Sequence, residues 1–529
     1  MKPSTIKVTF GSVATSIRRQ AVKLLRFCAL CAGLVLMGTF AGAFAGSPPN
    51  DDLDTQLKVA LARAGFTGTI ESKFPVMMQG ALARSLNPKL AELGRNLFFD
   101  PVHSLGDDNS CAGCHAANAA FGDTQSIAIG VQSNMVVGAH RMGPRNQRRT
   151  PTVVNAALYP KLMWNGRFEA LSGSAFDNSK PFSFPPPEGV ARFNRADHPE
   201  IKHLLIAHAH MPPTELNEAA GFRGTAGTNL DPLFAPFDNG RGSLVPLPDL
   251  DPLSLFYNSR NERIRDSFVE RLRASPKYVE MFKEVFGPAP IAPVMFAQAI
   301  AEFEFTLVRA DAPIDAYARG DVNALSKEEK RGALMFFGRA QCVACHAVGG
   351  KSNEMFSDFV NHNIGVPQIA PVFGLGKGDT IFDGPGADED FGNEQVTGFS
   401  FDRYKFRSSP LRNASLQTAF FHNGSFTRLE DAIRHHLNPA ASARYYDAKK
   451  AGVARDLQLR SGPLDPLSTL DPLLTSIPRL TEDEVRDLVR FVGNGLLDRR
   501  LHNGKTFCDL VPDVLPSGMR ALTFEGCGK

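Results

Sequence analysis

The chain has a single tryptophan, few strand-like segments, and no excess of basic residues once its start is set aside. Its first 45 residues contain no acidic side chain but six basic ones, so the remainder carries 52 basic against 55 acidic residues. A remainder that is formally −3 has no excess of the positive charge on which nucleic-acid binding depends. We therefore expect no nucleic-acid partner.

The lack of acidic residues at the start predicts an export signal. Basic residues are followed by an apolar run from Cys28 to Ala45, which ends in the small-residue pattern Ala43-Phe44-Ala45. This order is typical of a secretory signal peptide, here cleaved near Ala45. The alternative is an uncleaved anchor, because the apolar run approaches the length that spans a bilayer.

Cysteine is scarce, and two pentapeptides hold half of it. These are Cys111-Ala-Gly-Cys114-His115 and Cys342-Val-Ala-Cys345-His346. The C-x-x-C-H pattern predicts covalent attachment of haem c, with Cys111, Cys114, Cys342 and Cys345 as thioethers and His115 and His346 as iron ligands. A zinc site would need more ligands at knuckle spacing, and a thioredoxin-like dithiol would need a βαβ setting. Two haem c groups in a bacterial protein indicate a periplasmic location.

A similar six-residue segment, called the prelude below, precedes each haem motif. This repetition predicts two copies of one haem-binding unit. The preludes are Gly94-Arg-Asn-Leu97-Phe98-Phe99 and Gly332-Ala-Leu-Met-Phe336-Phe337. With helical periodicity prevailing, the predicted fold is mainly α, with two cytochrome c-type haem domains in tandem and long irregular loops and inserts. The predicted segments are a signal peptide at 1–45, domains at 46–312 and 313–507, an insert at about 168–260, and a tail at 508–529.

Several local signals give helix boundaries. Pro276 and Gly287 bracket one helix, and a second spans about 293–309. Ser326-x-x-Glu329 and Thr481-x-x-Glu484 are capping boxes that begin two further helices, the latter predicted over 481–498. The remaining cysteines of the mature chain, Cys508 and Cys527, predict a disulfide in an oxidising compartment, with two free thiols as the alternative.

The chain resembles the bacterial di-haem cytochrome c peroxidases and their MauG-like relatives. The likeness is carried by three segments, at 94–101, 143–167 and 411–431. It implies a peroxidase-type oxidoreductase that reduces hydrogen peroxide to water with electrons from a small donor, either a c-type cytochrome or a cupredoxin. Peroxide would react at the His115 haem and electrons would enter at the His346 haem. A homodimer is left open.

The same resemblance implies three residues at the peroxidatic haem. His140 is expected to be a displaceable distal iron ligand, against the alternatives of a solvated loop histidine or of His103 in that role. Glu218 is expected to move the proton of peroxide, with Glu188 as the alternative. Trp164 would carry electrons between the haems, although a single tryptophan is more often a core filler.

Two further metal ligands follow from the resemblance. The position of the sixth ligand of the electron-entry haem falls on His436, with His435 beside it. Histidine there would lower the reduction potential relative to methionine. Asn146, together with Gln417 and Ala419, matches a calcium site between the domains, for which a plain domain contact is the alternative.

Two other functions stay open at this point. One is a MauG-like di-haem oxidase that modifies a partner protein or an organic substrate. The other is a non-catalytic electron-transfer protein in which both haems are saturated by protein ligands. The insert at about 168–260 is larger than a minimal peroxidase needs and is expected to shape a binding surface.

Overall fold

The computed structural model describes residues 51–184, 193–194, 196–220, 255–371, 389–459, 465–502 and 506–528. The predicted signal peptide, Glu188 and residues 221–254 of the predicted insert lie outside the described residues. Among the described residues, no helix is long and apolar enough to cross a membrane.

Helices dominate the described chain, and its strands are only two or three residues long. The helices are α1 Asp51–Ala64, α2 Ile70–Leu82, α3 Pro88–Phe99, α4 Cys111–Cys114, α5 Leu204–His208, α6 Leu255–Ala274, α7 Pro276–Phe286, α8 Pro293–Phe305, α9 Pro313–Ala318, α10 Lys327–Phe337, α11 Glu394–Thr397, α12 Leu429–Leu437, α13 Pro439–Arg444 and α14 Glu482–Arg490. The strands are β1 Val136–Val137, β2 Lys161–Leu162, β3 Phe168–Ala170, β4 Phe182–Ser183, β5 Asn361–His362, β6 Ile369–Pro371, β7 Phe406–Arg407, β8 Leu457–Leu459 and β9 Thr523–Phe524. The mainly helical character predicted from the sequence is confirmed.

The glycine of each repeated prelude lies where two helices cross. In α3, a Cβ on Gly94 would lie 1.7 Å from the carbonyl oxygen of Ala299 in α8. In α10, a Cβ on Gly332 would lie 2.0 Å from the carbonyl oxygen of Asp487 in α14. Only a residue without a Cβ allows this approach of backbones. The repeat in the sequence therefore reflects the same helix crossing beside each haem motif.

Two hydrophobic clusters surround the two haem motifs. The first includes Phe98, Phe121 and Phe303, and the second includes Phe336 and Phe491. In each cluster the phenylalanine rings pack edge-on, with Phe98 and Phe303 centred 5.2 Å apart. Such aromatic pairs add stability beyond the area that they bury.

The two ends of the described chain pack in different clusters. Leu57 and Leu61 of α1 belong to the second cluster, whereas Phe507 and Phe524 near the C-terminus belong to the first. Each end of the described chain thus covers the cluster that surrounds the more distant haem motif. The domain bounds at 46–312 and 313–507 stay a prediction.

A C-terminal strap, residues 506–528, lies on the first cluster. The predicted disulfide between Cys508 and Cys527 is confirmed. Strand β9 pairs in parallel with β1, so that Thr523 lies opposite Val136. The strap is thus closed into a loop by a covalent bond between its ends, and it is joined to β1 by a two-stranded sheet.

The capping boxes are confirmed at the starts of α10 and α14. The Ser326 and Thr481 hydroxyls each accept a hydrogen bond from the backbone of the glutamate three residues later, and each glutamate accepts one in return. The helix expected over 481–498 is α-helical only to Arg490 and continues as a π-turn over Phe491–Gly495. The helix expected over 293–309 ends at Phe305. There the last backbone hydrogen bonds span fewer residues than those of an α-helix.

Candidate functional site

The first haem motif opens onto a buried cavity. Cys111, Cys114 and His115 line it together with Phe98 of α3. The Nδ1–H of His115 donates to the carbonyl of Phe121, at 3.2 Å. Burial lowers the pKa of His115 to about 4, so the ring is neutral. A neutral imidazole anchored through one nitrogen is the form in which histidine binds a metal.

The second haem motif opens onto another cavity with the same arrangement. Cys342, Cys345 and His346 line it. The Nδ1–H of His346 donates to the carbonyl of Phe356, at 3.0 Å. Burial and the neighbouring ring of His436 lower the pKa of His346 to about 4. Both motifs therefore present a neutral histidine that is anchored through Nδ1.

The four cysteines of the motifs line these cavities and form no disulfide bonds. Burial raises the pKa of Cys114 to about 11 and that of Cys111 further. Two cysteine sulfurs and an imidazole in one apolar cavity are the groups that a c-type haem uses. The residues present thus fit a haem in each cavity.

His436 lies opposite His346 in the second cavity. The centres of the two rings are 6.1 Å apart. Two imidazoles on opposite sides of one metal ion, each with a nitrogen about 2 Å from it, have ring centres roughly 6 Å apart. The Nδ1–H of His436 donates to the carbonyl of Ala432, at 2.8 Å. The pair has the spacing of two axial ligands.

His435 points away from this cavity and has no nitrogen to spare. Its Nδ1 bonds the hydroxyl of Ser442 at 3.0 Å, and its Nε2 bonds the carbonyl of Ile364 at 2.8 Å. The ring is fully buried. Between the two adjacent histidines, the geometry therefore favours His436.

Glu218 lines the first cavity, as expected for a group that handles protons there. Burial raises the pKa of its carboxyl to about 7; the neighbouring carboxylate of Glu215 adds to the rise and Arg167 opposes it. Arg167 forms an ion pair with Glu215, at 3.2 Å. A carboxyl with a pKa near neutrality can both accept and return a proton at ordinary pH.

His140 does not lie in the cavity. Its side chain is 86% exposed, and its Nδ1 is 2.6 Å from Glu525 of the C-terminal strap. The geometry therefore does not support His140 as the distal ligand. The alternative, His103, is buried at the cavity wall, with its Nε2 3.7 Å from the sulfur of Cys111.

The sequence interpretation missed His208, which ends α5 and lines the first cavity. Its ring packs edge-on against Phe168, at 5.0 Å. Burial, Arg167 and His115 lower the pKa of His208 to about 3, and no hydrogen bond to its ring is found within the described ranges. The available signal was its place in the segment that also contains Glu218. A second missed group is Glu304, a cavity carboxyl whose pKa burial raises to about 8.

Trp164 lies in the wall that the two cavities share. Its indole Nε1–H donates to the carbonyl of Arg149, at 2.8 Å. Its own carbonyl accepts from the backbone N–H of Arg407, at 2.7 Å. These bonds fix the only indole of the chain between the two haem motifs.

The expected calcium ligands are only partly suited to a cation. The side-chain oxygen of Asn146 is buried without a hydrogen-bond partner among the described residues, as a ligand atom would be. The side-chain oxygen of Gln417, however, lies 3.5 Å from the guanidinium of Arg149. A positive charge at that distance opposes a second cation. The residues do not fit calcium well enough to derive a role for it.

A mainly helical chain with two buried C-x-x-C-H cavities has the features of a di-haem c-type cytochrome. The family model described as "Di-haem cytochrome c peroxidase" matches residues 88–220 and 245–323. Over these residues the chain is similar to di-haem cytochrome c peroxidases, a family of oxidoreductases with two c-type haems.

Individual relatives match most of the chain at moderate identity. The methylamine utilization protein MauG of Methylorubrum extorquens is 26% identical over 77% of this chain and 82% of its own length. The cytochrome-c peroxidase IdrP1 of a Pseudomonas species is 26% identical over 74% and 85%. The cytochrome c551 peroxidase of Nitrosomonas europaea is 26% identical over 66% and 72%. Peroxidases and MauG proteins thus match at equal identity.

Proposed function

We propose that this protein is an exported di-haem c-type peroxidase, which reduces hydrogen peroxide to water with electrons from a small periplasmic redox protein. The observation that carries the proposal is that Glu218 and His115 line one buried cavity. His115 would bind the haem iron, and Glu218 would transfer the proton of the bound peroxide. The relatives named as cytochrome c peroxidases support the same reaction.

The reaction consumes two electrons and two protons for each peroxide and yields two waters. Haem, when bound at His115, supplies the redox centre at which the O–O bond is cleaved. Glu218 accepts the proton from one peroxide oxygen and returns it to the other, so that water rather than hydroxide leaves. Its raised pKa, about 7, lets it do both at neutral pH.

Electrons would enter at the His346 haem and reach the His115 haem through the wall that contains Trp164. The indole lies in both cavities and its N–H is fixed by a carbonyl, so its position relative to each motif is constant. A fixed aromatic ring between two redox centres shortens the gap that an electron must cross. We assign the relay to Trp164 on this basis.

We propose His208, in place of His140, as the imidazole that can reach the distal side of the first haem. His208 lines the cavity, is neutral, and has no competing hydrogen bond to its ring within the described chain. A neutral imidazole is a good iron ligand or hydrogen-bond donor. His140 is instead occupied by Glu525 at the surface.

At the second haem, we propose His346 and His436 as the two axial ligands. Histidine in place of methionine lowers the reduction potential. A low-potential entry haem would be reduced by a correspondingly low-potential donor. The choice between a cytochrome and a cupredoxin then depends on the donor's potential.

The test is peroxide-dependent oxidation of a reduced small cytochrome by the haem-loaded protein, both fully oxidised and half-reduced. Rapid turnover that Glu218→Gln slows by about 10²–10⁴-fold is the expected result. Faster turnover after half-reduction would mean that a distal ligand leaves on activation. Consumption of peroxide without oxidation of the donor would overturn the proposal.

The relatives named MauG support a second candidate, because they match at the same identity as the peroxidases. In that case the oxidising equivalents would be withdrawn from a partner protein. Peroxide would then oxidise the haems without donor turnover, and the partner would be modified. The same experiment therefore separates the two.

A further inference from the structure

Five arginines line the two cavities within the described residues, and they differ in how their charge is balanced. Three of them form ion pairs with carboxylates. These pairs are Arg412 with Asp315 at 2.7 Å, Arg148 with Asp390 at 2.6 Å, and Arg167 with Glu215 at 3.2 Å. Pairing is the usual condition for a buried charge, because an unpaired one is costly to remove from water.

The fourth, Arg149, is balanced by oxygens of the scaffold. Its guanidinium donates to the carbonyls of Asp123 and Gln125 and to the hydroxyl of Thr418. The buried carboxylate of Asp123 also favours its charged form. Arg149 therefore has the partners that a structural arginine needs.

Arg407, in β7, has no such balance. It is only 4% exposed. Its Nε donates to the carbonyl of Met163 at 3.1 Å, and its Nη1 to that of Ser408 at 3.2 Å. The rings of Tyr159 and Phe359 lie 5.9 and 5.6 Å from the guanidinium. No carboxylate of the described chain pairs with it.

The guanidinium stays charged in this setting. Burial lowers the pKa of Arg407 only to about 10, so the group is a cation at neutral pH. Its Nη2 has no protein acceptor among the described residues, and the residue lines both cavities. A buried cation at the wall of a cavity is expected to bind an anionic group of the molecule that occupies the cavity.

We propose that Arg407 binds the carboxylate of a haem propionate at the wall that the two cavities share, and so sets the reduction potentials of the haems. The proposal rests on the two haems of the proposed function. Propionates are the anionic groups of haem, and a guanidinium binds a carboxylate through two parallel hydrogen bonds. Arg407 also holds Trp164, whose carbonyl accepts from its backbone N–H. One residue would thereby contact both the backbone of Trp164 and a haem carboxylate.

The experiment is a spectroelectrochemical titration of both haems in the loaded full-length protein. A nearby cation stabilises the reduced haem, which carries one positive charge less, so its removal lowers the potential. In Arg407→Gln, we expect both potentials to shift to lower values, with the larger shift at the haem whose propionate is bound. Arg407→Lys keeps the charge but loses the bidentate geometry, and its shift should be smaller.

Arg486→Gln is the matched control, because Arg486 is 60% exposed on α14 and loses the same charge. Its potentials should equal those of the wild type. A loaded Arg407→Gln protein with unchanged potentials would overturn the proposal.

If Arg407→Gln fails to acquire haem, the propionate bending bands in the resonance Raman spectrum of Arg407→Lys decide instead. Shifted bands would support the contact, and bands identical to the wild type would overturn it. Neither readout needs peroxide or a donor. Failure of this proposal is therefore distinguishable from failure of the peroxidase function.

Discussion

The imidazoles of His346 and His436 face each other in one cavity, with ring centres 6.1 Å apart, and each ring is held by a backbone carbonyl at Nδ1. The two residues are far apart in sequence, and the fold brings their rings into one cavity. A haem attached at the second motif is accordingly expected to have two histidine ligands.

Replacing His436 with methionine should raise the reduction potential of the second haem, because a thioether ligand favours the reduced iron relative to imidazole. Potentiometric titration and the electron paramagnetic resonance signal of the oxidised haem measure this change. His435→Gln is the control. It should leave that signal unchanged but lower the free energy of unfolding by about 1–3 kcal/mol, the cost of unsatisfied buried polar groups. The reverse pattern would mean that His435 is the ligand.

Glu218→Gln should lower the rate of the peroxide reaction by about 10²–10⁴-fold, the usual contribution of a positioned proton-transfer group. In the wild type the rate should rise with pH through about 7. Only the ionised carboxyl accepts a proton, and its raised pKa keeps it protonated below that value. This limb of the pH profile should vanish in the variant. Stopped-flow mixing with peroxide across pH measures both, and Glu525→Gln, at the surface, should retain the wild-type profile.

His208→Ala should change the absorption and resonance Raman spectra of the first haem, whereas His140→Ala should leave them unchanged. The reason is position: His208 lines the cavity, and His140 is paired with Glu525 outside it. Spectra of the oxidised and half-reduced forms test both variants. A spectral change in His140→Ala alone would restore the role that the sequence assigned to that residue.

Trp164→Phe should slow electron transfer between the haems while leaving each haem spectrum unchanged. Phenylalanine keeps most of the packing but has no accessible oxidised state and cannot donate to the carbonyl of Arg149. The rate can be measured as reduction of the first haem after a rapid one-electron pulse to the second. Tyr159→Phe, in the same shared wall, is the control. Equal rates in wild type and Trp164→Phe would mean that Trp164 does not carry electrons between the haems.

Replacing Cys508 and Cys527 with serine should lower the free energy of unfolding by about 3 kcal/mol, the entropy that closing a loop of roughly 20 residues removes from the unfolded chain. Denaturant unfolding of the variant and of the wild type gives the difference. Wild type treated with a mild reductant is the control and should match the variant, because thioether bonds to haem survive reduction. No difference would mean that β1 and β9 hold the strap without the bond.

What the sequence predicted well was local. The haem motifs, the capping boxes at Ser326 and Thr481, and the disulfide each depend on a few residues at fixed spacing. The helix crossing at Gly94 was also present in the sequence, as a repeated glycine, although its cause required the structure. Short-range spacing is where covalent geometry and hydrogen bonding alone determine the outcome.

The sequence carried little information about positions in irregular or very short elements. His140 lies in an irregular segment and His208 ends the short helix α5, so their distances from His115 in sequence carried no information about their distances in space. Arg407 contacts the carbonyl of Met163, 244 positions away. Such contacts arise when long loops pack on a preformed helical scaffold, and no local preference encodes them. Arg407 stands out because no carboxylate of the described chain pairs with it, and a missing ion pair can be identified only in a structure.

The C-terminal strap has a consequence for how the protein is made. Cys508 and Cys527 follow the four haem cysteines in sequence and therefore emerge last when the chain is synthesised and, as proposed above, exported. An oxidant acting in order of emergence would first join neighbouring thiols within each motif and block haem attachment. Maturation must therefore keep the early thiols reduced until haem is attached, yet oxidise the late pair. Because Phe507 bonds the backbone of Ala117, just beyond the first haem motif, closure of the strap marks a chain whose first haem unit is already folded.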